Sequence, residues 1–266
     1  MTTRPYAFTD DRPHVVEQHR CLAASYDHIT TARLAATGVT DGWHCLDVGT
    51  GCGSVARWLA ERVAPTGDVL ATDVALPDQG GAGDAGSPRP HLRFVVHDIT
   101  ADPLPAEGFD LIVVRMLLQH FPQRDALLRK LVGAVKPGGW LQVEELDTAY
   151  EPVLLASDPA LYAKFLAAKT AHMRSRGGDP EWGRKVPSAM RAAGLVDIDP
   201  RPHIAPRHAG SPELALQHNH TFQLRDGLLA AGMTEEELVR VREVMSDPGF
   251  RASSSVLHSV QGRKRS

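Results

Sequence analysis

The chain has 266 residues, 42% of them hydrophobic and 23% charged, with a formal net charge of -3. That length carries a substantial core, read as a single α/β domain over 1–266, and the composition excludes wholesale disorder. The charge excludes a general electrostatic hold on nucleic acid or anionic lipid, and no apolar run reaches the about 18–20 residues needed to span a bilayer.

In chain order, the N-terminus MTTRPYAFTDDRPH lacks the apolar core of a secretory signal, so a cytoplasmic location is expected. Val15, Val16, Leu22, Ala23 and Tyr26 recur at helical spacing within 13–37. Residues 43–48 form a short apolar run between turn signals, the pattern of a buried strand, and Ser54 reads as the N-cap of a helix over 54–63. A second strand is expected over 68–73, then a Gly/Pro-rich loop over 76–90. Strands follow at 92–97 and 109–114, with an amphipathic helix at 125–135 that stops at Lys136-Pro137-Gly138-Gly139. A fifth strand is expected at 140–144, helices at 159–173 and 186–193, and a strand at 195–199. Residues 202–210, dense in Pro and His, read as a connection; helices at 214–231 and 234–245 and a last strand at 253–260 close the chain. The basic end, Gly262-Arg263-Lys264-Arg265, reads as a solvated tail. Cys21, Cys45 and Cys52 show neither metal nor disulfide spacing and read as reduced thiols.

Strands alternating with helices imply parallel pairing with helices on both faces. Within that frame the segment LDVGTGCGS over 46–54 is a strand, a glycine-rich turn and a helix start, a generic nucleotide cradle. Taken alone, Gly49, Gly51 and Gly53 suit a dinucleotide as well. Asp73 ends the second strand about 20 residues further on, where a carboxylate reaches ribose hydroxyls, and Asp98 follows the third strand in the same way. All three features fall at the carboxyl edge, where open α/β sheets bind ligands.

These residues resemble the class I S-adenosylmethionine-dependent methyltransferases, closely over 40–150 and more loosely to the end. The resemblance implies a Rossmann-like, doubly wound, mostly parallel seven-stranded sheet whose last strand is antiparallel, with a helical lid. It also implies S-adenosylmethionine as cofactor: Asp47, Gly49, Gly51 and Gly53 around its methionine part, Asp73 on the ribose, Asp98 and Ile99 at the adenine, and Arg115 to Gln119 lining the methionine end. The Pro137-Gly138-Gly139 turn is a further family mark. Residues 40–150 are then the cofactor core, 1–37 an N-terminal lid and 151–230 a substrate lid. A nicotinamide-dependent oxidoreductase is the nearest alternative. Its fingerprint is G-x-G-x-x-G, whereas this turn is G-x-G-x-G, and no Tyr here is followed four residues on by Lys.

The acceptor is expected to be a small molecule, with no nucleic-acid partner and no membrane partner, and a homodimer is left open. His120, after the fourth strand, is the candidate general base for a hydroxyl, with Glu145 from the end of the fifth strand orienting it. N- or C-methylation, or a non-methylating cyclisation in the same fold, remain alternatives. Tyr26, His120, Phe165, Trp182 and Phe222 are the expected acceptor contacts, and Arg174 and Arg184 would meet an anionic group. No metal is expected: the Asp-Asn pair of catechol methyltransferases is missing, and His203, His208, His218 and His220 have no ligand spacing.

Overall fold

A computed structural model describes residues 12–76, 90–104 and 108–266. Most of the expected 76–90 loop and the first 11 residues of the N-terminal lid therefore lie outside the described residues. The first half runs α1 (Arg12–Ala36), β1 (His44–Val48), α2 (Ser54–Val63), β2 (Asp68–Asp73), β3 (Leu92–Val96), β4 (Phe109–Arg115), α3 (Arg124–Ala134) and β5 (Val135–Asp147). A 3-10 turn, Leu118–His120, follows β4. The second half runs β6 (Val153–Leu155), α4 (Pro159–Ser175), α5 (Trp182–Ala192), β7 (Leu195–His203), β8 (Pro206–His208), α6 (Pro212–Gln223), α7 (Arg225–Ala230), α8 (Glu235–Ser246), β9 (Arg251–Ser253) and β10 (Val256–Lys264).

Seven strands form one sheet in the order β3-β2-β1-β4-β5-β10-β7. The β1, β2, β3, β4 and β5 pairings are parallel, and β10 runs antiparallel to both neighbours. Alternate strand residues face opposite layers. Leu46, Val48, Ile112 and Val114 pack with α3 and α5 through Leu128, Leu131, Val186 and Met190. Cys45, Leu111 and Val113 pack instead with Leu34 of α1 and with Val55 and Leu59 of α2. A third cluster joins Tyr162 and Phe165 of α4 to Leu228, Leu238, Val241 and Phe250, next to a small sheet of order β6-β9-β8.

Several boundaries differ from the sequence expectation for local reasons. Ser54 is the first helical residue, and the cap is Gly53, whose left-handed φ of 77° turns the chain into α2. The PGG segment interrupts nothing: β5 begins at Val135, and the extra residues form an irregularity between the Phe109–Val135 and Leu111–Trp140 pairs. The expected 214–231 helix is broken at Leu224, which ends α6 and precedes α7. The 202–210 stretch is not a mere connection, since Pro206–His208 pairs with β9 and Arg207 is only 2% exposed. The basic end is not a free tail either: Gly262 to Lys264 lie in β10, and Lys264 Nζ donates to the carbonyls of Gly133 and Val135.

Candidate active site

The turn after β1 leaves the sheet through two backbone bonds, Gly49 and Thr50 donating to the Thr72 carbonyl at 2.8 and 3.0 Å. Gly51 has a φ of 56°, and a Cβ there would meet the His19 imidazole at 3.2 Å. A Cβ on Gly53 would lie 2.8 Å from the Phe94 ring. Both positions therefore exclude side chains for reasons of backbone sign and space. Asp73 reaches across from β2 and its Oδ2 accepts the Gly51 N–H at 2.9 Å, so carboxylate and turn form one unit. Asp47 sits beneath, accepting the Thr50 hydroxyl at 2.6 Å. Burial pushes its carboxyl up to about 6, against the pull of that hydroxyl and of Arg115. Beyond β3, Asp98 Oδ1 accepts both the backbone and hydroxyl of Thr100, fixing the turn that carries buried Ile99.

The exit of β4 is strained. Met116 has a φ of 51°, a left-handed conformation that is costly for a residue with a long side chain, and such sites cluster where function is built. Glu145, fully buried, accepts the N–H groups of Leu118 at 2.7 Å and Leu117 at 3.3 Å and so holds the segment in place. Desolvation drives the Glu145 carboxyl up to about 8 despite those bonds. Glu145 Oε1 is thus bound to backbone, and Glu145 is not among the residues lining the cavity. His120 does line it. Burial brings its imidazole down to about 4, with a bond to the Met116 backbone opposing, so the ring is neutral at pH 7. Gln119 lies on the same wall and its Oε1 accepts the Leu146 N–H.

Arg115 anchors α1 through its Nη1, which donates to Asp27 and to Thr30, each at 2.9 Å, while the residue also lines the cavity. Thr30 in turn donates to buried Glu144 at 2.5 Å. These bonds lock α1 across the sheet edge and bring Gln18, His19, Leu22 and Tyr26 to the cavity.

The cavity is continuous and about 700 Å³, well within the size range of small-molecule sites. One end carries Gly49, Gly51, Asp73, Asp98 and Ile99, and the rest of the wall includes Tyr26, Arg115, Gln119 and His120. Lys169 and Met173 of α4, Gln217 and His220 of α6, and Arg207 of β8 also face it. Asp47 and Gly53 support the turn from outside the wall. Of the expected acceptor contacts, Tyr26 and His120 are on the wall and three are not. Phe165 is buried away from it against Tyr162, and the Tyr162 ring in turn packs on Phe250. Trp182 is buried in the sheet core beneath the Arg124 guanidinium. Phe222 is 41% exposed, stacked on His14 and covered by Arg242. Arg174 and Arg184 are likewise engaged elsewhere, with Glu181 and Asp147. Among the described residues four cations line the cavity, Arg115, Lys169, Arg176 and Arg207; only Arg115 was expected there, and Lys169 and Arg207 were missed. They lie far apart in sequence, and neither occurs in a motif. Among the described residues no cluster of His, Cys, Asp or Glu is arranged for a metal, and no helix is long and apolar enough to cross a membrane.

A strand, a glycine turn and a helix, with carboxylates on the next two strand ends, define a nucleotide-binding α/β protein. Residues 46–143 match the methyltransferase domain family. Methyltransferase str2 of Strobilurus tenacellus is 29% identical over 150 residues, covering 56% of this chain and 51% of that protein. The ubiquinone/menaquinone biosynthesis C-methyltransferase UbiE of Ectopseudomonas mendocina is 30% identical over 162 residues, covering 53% of this chain and 60% of that one. Phosphoethanolamine N-methyltransferase 2 of Haemonchus contortus, solved with S-adenosyl-L-methionine, superposes with a TM-score of 0.55 at 16% identity, over 95% of this chain and 57% of that one. That last likeness is one of fold. The matched chain spans half to three-fifths of the length of these two curated relatives. The match over residues 46–143 and these relatives support a class I S-adenosylmethionine-dependent methyltransferase and do not favour the oxidoreductase alternative.

Proposed function

We propose that the protein transfers a methyl group from S-adenosylmethionine to a hydroxyl oxygen of a small molecule. The observation that carries this reading is the continuous cavity, with the glycine turn and Asp73 at one end and His120 on the same wall as polar residues of α4, α6 and β8. The residues present fit the cofactor: the turn is stripped of side chains where a ligand would approach, and the Asp73 carboxylate stands at its rim. Asp73 would hold the ribose, Asp98 and Ile99 the adenine, and the 49–51 backbone with Arg115 and Gln119 the methionine end. When bound, the cofactor supplies an electrophilic methyl carbon on a sulfonium.

The chain's own contribution is alignment, worth on the order of 7–11 kcal/mol at best in such bimolecular steps. The described residues of 40–150 would form the cofactor core, while those of 12–37 and 151–230 would cover the acceptor and keep water out. Tyr26 contacts the acceptor from α1. His120 takes the hydroxyl proton on its unprotonated ring nitrogen, with its basicity reduced by the burial that keeps it neutral. Glu145 is a positioning residue: by holding the Leu117 and Leu118 amides it fixes where that ring stands.

Incubation with methyl-labelled cofactor and fractionated cell extract tests the reading. Label is expected in the low-mass fraction as a base-stable ether. Label confined to protein or nucleic acid, or released only as a methylamine, contradicts it.

A further inference from the structure

The cationic wall of the cavity has a use that alignment of a neutral acceptor does not explain. Arg207 is 2% exposed, and one of its amino groups donates to Glu151 at 3.0 Å and to Ser255 at 3.4 Å. Its Nε and its other amino group meet no hydrogen-bond acceptor at bonding geometry, although the Tyr162 phenol lies alongside. Unsatisfied guanidinium donors inside a protein cost free energy unless something accepts from them. Lys169, also on the cavity wall, donates to Gln217 at 2.6 Å, and its ammonium is pushed down to about 8 by burial, with Glu151 opposing and Arg207 adding to the push. Glu151 is nearly buried and shared between these two cations, with Ser255 as a further donor to it. Two cations thus face one carboxylate. Arg115, another cation on this wall, is matched by Asp27, and Arg176 is a fourth. Glu213 is not among the wall residues, and it acts electrostatically on Tyr26 and Cys21. His220 does not restore a negative charge. It is held neutral by burial, and Lys169, Arg207 and His120 all oppose its protonation, which sets the four groups around one space.

We propose that Lys169 and Arg207 form an anion subsite that binds a carboxylate on the methyl acceptor, so that the substrate is an organic acid. The inference rests on the methyltransferase reading. A guanidinium N–H and a lysine ammonium each donate a charge-assisted hydrogen bond to a carboxylate, a combination suited to a buried organic anion. It takes up one of the open Arg207 donors and offsets the positive charge. Bound here, the acid would leave the opposite part of the acceptor toward His120 and the cofactor end. The Gln217 amide offers a polar contact beside Lys169 that a neutral ligand could also use, so charge itself is the discriminating variable.

Calorimetry on protein saturated with S-adenosylhomocysteine tests this with matched probes, benzoate against benzamide and 3-phenylpropanoate against 3-phenylpropanamide. At least one acid is expected to bind about tenfold or more tightly than its amide. Lys169→Met is expected to remove most of that preference, as is the double variant Glu151→Gln/Arg207→Met, which deletes both members of the buried pair and so avoids stranding one charge. Both variants should bind S-adenosylmethionine within about twofold of the parent chain. Equal binding of acid and amide, no binding of either acid, or a preference that survives both changes would overturn the subsite. Loss of S-adenosylmethionine binding in the variants also overturns it, because the cations would then serve the cofactor's own carboxylate. Failure of the parent chain to bind S-adenosylmethionine is a different result, and it removes the methyltransferase reading beneath the proposal.

Discussion

At the residue scale, Asp73 and His120 ask for different losses. Asp73 touches both the glycine turn and the cavity, so Asp73→Ala is expected to weaken S-adenosylmethionine binding about 10- to 100-fold, the scale of losing charge-assisted hydrogen bonds. His120→Ala should leave that binding within a few-fold and cut turnover about 100-fold or more, a KM-against-kcat split that a structural histidine would not produce. The imidazole should also titrate by NMR near pH 4, because burial disfavours its charged form. A midpoint near 6.5 would mean an open, solvated ring. The glycines and Asp73 were legible in sequence because a close backbone approach permits few alternatives. Lys169 and Arg207 were not: their relation depends on a helix and a three-residue strand meeting across the cavity, which no spacing records. Phe165, Trp182 and Phe222 mark the opposite error. A large aromatic in a lid segment fits a core equally well, and here two are core and one packs on the surface.

At the scale of elements, α1 is the piece whose position the site depends on most. Thr30 is fully buried, receives an N–H from Arg115 and donates to the equally buried Glu144, so one hydroxyl ties α1 to β4 and β5. Thr30→Val keeps the shape and removes the hydroxyl. It is expected to cost about 1–3 kcal/mol in denaturant unfolding, through the unsatisfied Glu144, and to weaken cofactor binding by loosening His19 and Tyr26. An unchanged midpoint with unchanged binding would show that α1 is held by its apolar face alone. The strands and helices of the first half were readable from apolar runs and turn residues. The small β6-β9-β8 sheet was hidden, since its three-residue strands are too short to show a period, and Pro and His in 202–210 resembled a linker.

For the whole molecule, buried titratable groups set opposite trends with pH. His120 is depressed from 6.5 to about 4 in the folded chain, so the unfolded chain binds the extra proton first. Its contribution is complete above pH 6.5 and is lost as pH falls toward 4, on the order of 3 kcal/mol over that window. His220, also held well below its usual value by burial, acts in the same direction. Glu145 acts in reverse: raised to about 8, it contributes fully below about 4.5 and the contribution fades as pH rises through 8. Urea titrations from pH 4 to 9 should therefore show stability falling towards both ends, and His120→Gln should flatten the acid side. An acid limb unchanged in that variant would exclude His120 as its source. The sheet order and its reversed last strand follow the family resemblance carried by about a hundred residues. The cover over the cavity came from the remainder of the chain, where the sequence pattern is least regular.

The central claim is that the cavity at the glycine turn is a site for S-adenosylmethionine. Calorimetric titration of the intact chain with S-adenosylmethionine and, separately, with NADH tests it most directly. The expected result is saturable S-adenosylmethionine binding that Asp73→Ala weakens, with no heat from NADH. NADH binding without S-adenosylmethionine binding, or S-adenosylmethionine binding indifferent to Asp73, would contradict it.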